Sequence, residues 1–107
     1  MKQGDIVVLT FPFADLSGSK LRPAVVLSNT DYNKHHNVIL AGIYGTKTPL
    51  AIALTNKDLV QKKLQKDSFI SVQNIFSADK THVLKVIDSL TRTKCATLTH
   101  AVKMYVS

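Results

Sequence analysis

Only two of the fourteen basic residues are arginines, and one of them, Arg22, stands where a protein can hold a cation rigidly. It sits in Lys20-Leu21-Arg22-Pro23-Ala24-Val25-Val26-Leu27-Ser28. The apolar, β-branched run after it reads as a buried strand. Pro23 cannot donate to a ladder, so it belongs at the strand's first residue or on an edge. Arg22 is thereby set at the junction of a loop with a rigid strand, where a cation can guard the mouth of a site. A guanidinium there offers a planar fork of donors that matches a phosphate. By position alone Arg22 reads first as a surface arginine closing a loop; the rest of the chain shifts that weight. Two further groups could do chemistry. His35 and His36 lie in the polar stretch from Asn29 to Asn37 and could move a proton near neutrality. Such a pair is more often solvent-exposed and inert, and His100, on the terminal helix, reads as structural or surface.

The charge points toward polyanions. Fourteen basic residues face seven acids, a formal +7, and every acid is an aspartate. An excess of this size on a small domain attracts nucleic acid first and acidic proteins second. The simple alternative is solubility. No Walker-type loop, His-Glu-x-x-His or nucleophile elbow is present. The single cysteine, Cys95, excludes an internal disulfide and a cysteine-based zinc cluster. With RNA as substrate, the least demanding reaction is attack of a 2′-hydroxyl on the adjacent phosphate. That needs charge stabilisation and help with two proton transfers; an arginine fork supplies bidentate donors to the phosphate, and no metal or cofactor is required. Lys20 and Lys47 would add sequence-independent phosphate contacts. Tyr44 could stack on a splayed base, as could Phe11 and Phe13, though those two read better as core.

The elements that must position these residues are short. At 107 residues the chain forms a single domain, 1–107, with one modest core. Ile6 to about Pro12 reads as a first strand, Ala14 to Lys20 as a loop, and Leu21 to Ser28 as a second strand in a hairpin with the first. Thr30 or Asn29 could cap a short helical turn. Val38 to Tyr44, apolar on both faces, reads as a central strand, with Gly42 marking a bulge or a close backbone approach. Leu50 to Thr55 is a fourth strand. Asn56 to Val60 reads as a capped turn, and Lys62, Lys63 and Lys66 as a solvated basic segment. Phe69 to Gln73 alternates as a half-buried strand should, and Asn74 to Ser77 continues it or turns. His82 to Ile87 is the last strand. Cys95, Leu98, Val102 and Tyr105 then fall on one face of a helix starting at Ser89 or Thr91. Many short strands and one terminal helix predict a mainly β fold, a strongly bent antiparallel barrel with helices at one side. No apolar stretch is long enough to span a bilayer, and the N-terminus carries no secretory signal, so the cytoplasm is the expected compartment.

Gly4-Asp5-Ile6-Val7, Lys20 to Ser28, Val38 to Tyr44, Asp67-Ser68 and Asp79-Lys80 together resemble the MazF/PemK toxins of bacterial type II toxin–antitoxin modules. The resemblance spans nearly the whole chain. Its most specific part is Arg-Pro-Ala-Val-Val-Leu-Ser, and Phe11 to Gly18 is similar to the PemK-like branch. It implies an SH3-like or CcdB-like barrel with a C-terminal α-helix and a homodimer. It also implies a metal-free endoribonuclease that cuts single-stranded RNA to a 2′,3′-cyclic phosphate and a 5′-hydroxyl, and a cognate antitoxin that blocks the site. Arg22 matches the family's catalytic arginine. The family's threonine at the end of the third strand does not match directly. Tyr44 falls on it without a gap, whereas a bulge eased by Gly42 and Gly45 would bring Thr46 there. Where some relatives carry an acid in the strand of Phe69–Asn74, this chain has Gln73 and Asn74, which can hydrogen-bond a base but cannot act as a general base. Lys20, Lys47, His35 and His36 complete the expected RNA contacts. The departure at the threonine leaves a rival open: a weak or inactive relative that binds a protein target, as gyrase-poisoning CcdB relatives do, or binds RNA without cutting it.

Overall fold

A computed structural model describes residues 1–10 and 21–106. Six strands form one antiparallel sheet: β1 (Asp5–Thr10), β2 (Leu21–Val26), β3 (Asn37–Tyr44), β4 (Ala51–Leu54), β5 (Ser68–Asp79) and β6 (Val83–Ser89). Among the described residues a single α-helix, α1 (Arg92–Val106), follows. The strand order is β4-β5-β3-β2-β1-β6, so β3 is internal, as its apolar run predicts. β1 and β2 pair antiparallel, as expected of a hairpin. The edges are drawn together: Leu59, beyond β4, bridges Leu90, beyond β6, and Val60 N–H donates to the Ser89 carbonyl at 2.9 Å. That closure bends the sheet round on itself into the mainly β, barrel-like architecture.

The two faces of the sheet carry separate cores. Ile6, Val25, Ala41, Ile43, Ile70 and Val72 pack with Leu98 of α1 on one face. Val7, Leu9, Ala24, Val26, Val38 and Leu40 pack on the other, with Phe76, Ala78 and Val83 against them. The alternation along β1, β2 and β3 between these sets is the period-2 pleat. α1 lays Cys95, Leu98 and Val102 on the first core as its spacing predicts, but Tyr105 is 58% exposed. Met104 and Val106 beside it are exposed as well, so the last turn of the helix is not packed on the core.

Short elements differ from the sequence expectation in extent more than in kind. The turn after β2 is a 3-10 helix at Tyr32–Lys34 with Asp31 at its boundary, although Asn29 Oδ1 does accept the Tyr32 N–H at 2.9 Å. Thr55 and Asp58 cap the turn at Asn56–Asp58 reciprocally. β5 does not stop at Gln73 but continues to Asp79, because its second half pairs with β3 while its first half lies between β3 and β4. Among the described residues no helix is long and apolar enough to cross a membrane.

Candidate active site

Arg22 is the second residue of β2, opposite Leu9 of β1. Its strand alternates in register with the second core: Ala24 and Val26 are buried there, so Arg22, two residues earlier, projects from the same face at the strand's exposed end. The guanidinium has no acidic partner among the described residues. Pro23 stands between Arg22 and the buried run, and fixes φ just where the chain enters the sheet.

The neighbouring strand supplies the rest. Ala24 pairs with Gly42 of β3. Gly42 is on the Arg22 face, and so is Tyr44, two residues on. The absence of a side chain at Gly42 is required: a Cβ there would stand 2.9 Å from both Cε2 and Oη of Tyr44 and 3.0 Å from Asn74 Nδ2. The Tyr44 ring therefore folds back over Gly42, and Asn74 Nδ2 donates to its Oη. Asn74 gets there by a large irregularity in β5. Ile43 pairs with Ile70 and Ala41 with Ile75, so only Gly42 on β3 faces four residues, Ser71 to Asn74, on β5. The bulge expected at Gly42 is thus present, but its extra residues are on the partner strand.

That location fixes where Tyr44 and Thr46 lie relative to the strand. β3 is not shifted against β2, and Tyr44 stays in the strand, paired with Phe69. Thr46 and Lys47 lie beyond the strand end, both exposed. Gln73 is exposed at the β5 irregularity, beside Asn74. His35 and His36 are not brought to this site. They precede β3, at the end of that strand opposite Tyr44, seven residues or about 23 Å along it. There the His36 carbonyl accepts the Lys80 N–H at 2.9 Å. Lys20, with Phe11 and Phe13, lies outside the described residues. Lys66, read from sequence as merely solvated, is brought against Gly45 at the end of β3. No sequence signal could have singled it out, because the contact depends on the β3–β5 register.

At this site the chain keeps the arginine of the family suggested by the residues and departs from it at Tyr44 and Asn74. The family model for PemK-like, MazF-like toxins of type II toxin–antitoxin systems matches residues 2–106. The chain belongs to this family. Its fold agrees with solved members at low identity. MazF in a MazE–MazF crystal structure from Deinococcus radiodurans superposes with a TM-score of 0.78 at 17% identity, over 99% of this chain and 95% of its own. The Mycobacterium tuberculosis toxin MazF-mt6 gives 0.74 at 18% identity, over 94% and 93% of the two chains. A mycobacterial endoribonuclease solved in complex with its cognate antitoxin gives 0.73 at 16% identity, over 97% and 90%. No curated protein matches the sequence significantly. Among the described residues no group of three or more His, Cys, Asp or Glu side chains is placed to hold a metal ion.

Proposed function

We propose that this MazF/PemK-family toxin is an endoribonuclease that cuts single-stranded RNA, needs no metal, and acts in the cytoplasm as a homodimer held in check by a cognate antitoxin. The observation that carries the reading is Arg22: an exposed cation with no acidic partner among the described residues, fixed at a strand end on the face that also presents Tyr44. Solved relatives support it, being described as an endoribonuclease with its antitoxin and as MazE–MazF.

In this mechanism the 2′-oxygen forms a bond to phosphorus and the bond from phosphorus to the 5′-oxygen breaks. The Arg22 fork binds the non-bridging oxygens, where charge builds up in the transition state. Tyr44 takes the place of the family threonine. Its oxygen accepts from Asn74, so its own hydrogen is free to point at the phosphate and to protonate the leaving 5′-oxygen. The 2′-hydroxyl proton passes to water, and water restores the phenol. Thr46 and Lys47, past the strand end, and Gln73 contact flanking nucleotides; Lys20 adds a phosphate contact, and His35 and His36 reach only a longer transcript.

The test is to incubate wild type and Arg22→Ala with a long single-stranded RNA, and wild type with supercoiled DNA plus gyrase. Cleavage to 2′,3′-cyclic phosphate ends by wild type, lost in Arg22→Ala with the fold intact, is the expected result. Equal cutting by Arg22→Ala would remove the site assignment, and a gyrase effect without RNA products would favour a protein-poisoning relative.

A further inference from the structure

Lys66 stands in the turn that leads into β5, and Ser68 Oγ donates to its carbonyl at 3.2 Å. That bond fixes the backbone of the turn two residues before the strand begins. The Tyr44–Phe69 pairing then carries the turn to the end of β3. There the lysine side chain lies across Gly45. A Cβ on Gly45 would stand 2.7 Å from Lys66 Nζ and 3.0 Å from its Cε. Among the described glycines only Gly4 has positive φ, so Gly45 keeps a backbone open to any residue, and what it supplies is room. The Lys66 ammonium makes no ion pair with any described acid, the adjacent Asp67 included.

In the sheet β3 separates β2 from β5, so Arg22 and Lys66 flank the end of β3 with Tyr44 between them. Two strand spacings, about 10 Å, separate β2 from β5 across the sheet, and Lys66 stands a further two residues before β5 begins. The two cations differ in kind. Arg22 is a bidentate fork suited to the reacting phosphate, whereas Lys66 is a mobile point charge suited to a phosphate that is only held. We infer that Lys66 binds the phosphate next to the scissile one on single-stranded RNA, and that Gly45 is the seat that lets its side chain lie along the end of β3. This rests on the nuclease reading above.

The experiment measures cleavage kinetics on single-stranded RNA and, separately, the salt dependence of binding to the same RNA methylated at every 2′-oxygen, which cannot be cut by 2′ attack. Lys66→Ala should raise KM roughly threefold with kcat unchanged, as for loss of one exposed charge pair. It should lower the slope of log affinity against log salt by about 0.7, one phosphate on a single strand. Gly45→Ala, whose methyl displaces only the lysine tip, should do the same, and the double variant should be no worse than either single one. Lys66→Arg should keep the wild-type slope, which a purely structural role would not require. A wild-type slope in Lys66→Ala, or fully additive effects in the double variant, overturns the assignment. Wild type that binds but does not cut sinks the nuclease reading alone, because the slope still decides Lys66; wild type that does not bind RNA sinks both.

Discussion

β1 has opposite uses for charge at its two ends. At its start Asp5 is 5% exposed and takes hydrogen bonds from Lys2 Nζ, Lys2 N–H and Ser89 Oγ. Beside it, Asp88 is 2% exposed and accepts the backbone N–H groups of Gln61, Lys63 and Ser89. At the other end, about 13 Å along the strand, Leu9 faces Arg22, whose guanidinium has no such partner among the described residues. A charge bound on all sides maintains the fold, and a charge left unmatched is available to a ligand. With no glutamate and seven aspartates for fourteen basic residues, acids committed at one end cannot neutralise the other.

Substitutions at the two ends should separate these roles. Arg22→Ala is expected to lower RNA cleavage by a factor of about 100 to 1,000, the usual loss for one donor to a developing oxyanion. Because Arg22 is exposed, its urea midpoint should stay at the wild-type value. Asp88→Ala should do the reverse, since it strips the acceptor from three N–H groups. A loss of about 2–3 kcal/mol, read as a lower urea midpoint with unchanged slope, is the expected outcome. If Arg22→Ala unfolds the protein, or Asp88→Ala leaves its midpoint alone, the division between the two ends is wrong.

A smaller effect sharpens the site itself. Tyr44→Phe removes the hydroxyl but keeps the ring over Gly42, and should cost about a hundredfold in cleavage, the low end of what a single proton-transfer group supplies. Thr46→Val should cost less than twofold, because Thr46 lies exposed beyond the strand. Single-turnover cleavage measures both. The opposite ranking would return the family threonine's role to Thr46.

Which parts of this were legible in the sequence follows from the range of the interactions involved. Strand positions were readable because each is encoded by its own pleat: the alternation of Ala24, Val25 and Val26 between two cores needs no knowledge of partners. The Thr55–Asp58 cap was equally local. Arg22 could be placed from Pro23 and the apolar run alone. The Tyr44–Asn74 pair could not, since thirty residues separate its members and it exists only because β5 inserts four residues opposite Gly42. The glycine announced a close approach without saying which strand would supply the extra chain. His35 and His36 misled for the complementary reason: polar loops look alike in sequence, and only strand direction assigns each loop to one end of the sheet.

The weakest expected effect concerns acid, and it tests the structural end alone. Burial by itself would raise the Asp5 carboxyl, but the hydrogen bonds from Lys2 and Ser89 outweigh it and hold the group below its ordinary value of 3.8. Burial likewise opposes ionisation of Asp88, and the N–H groups of Gln61, Ser89 and Lys63 prevail there too. Each folded carboxyl thus binds its proton at lower pH than the unfolded one. The stability they contribute is complete above 3.8, starts to fall as pH drops through 3.8, and is gone below the folded values. Between pH 7 and 5 neither group should change the urea midpoint. Below pH 4 the midpoint should fall, and it should fall less in Asp5→Asn, which has no such proton to take up. Arg22 has no acidic partner among the described residues, so an Arg22→Ala protein should follow the wild-type acid limb. A difference between those two limbs would mean that the guanidinium faces a carboxylate in the folded protein, and the contrast between the ends of β1 would fail.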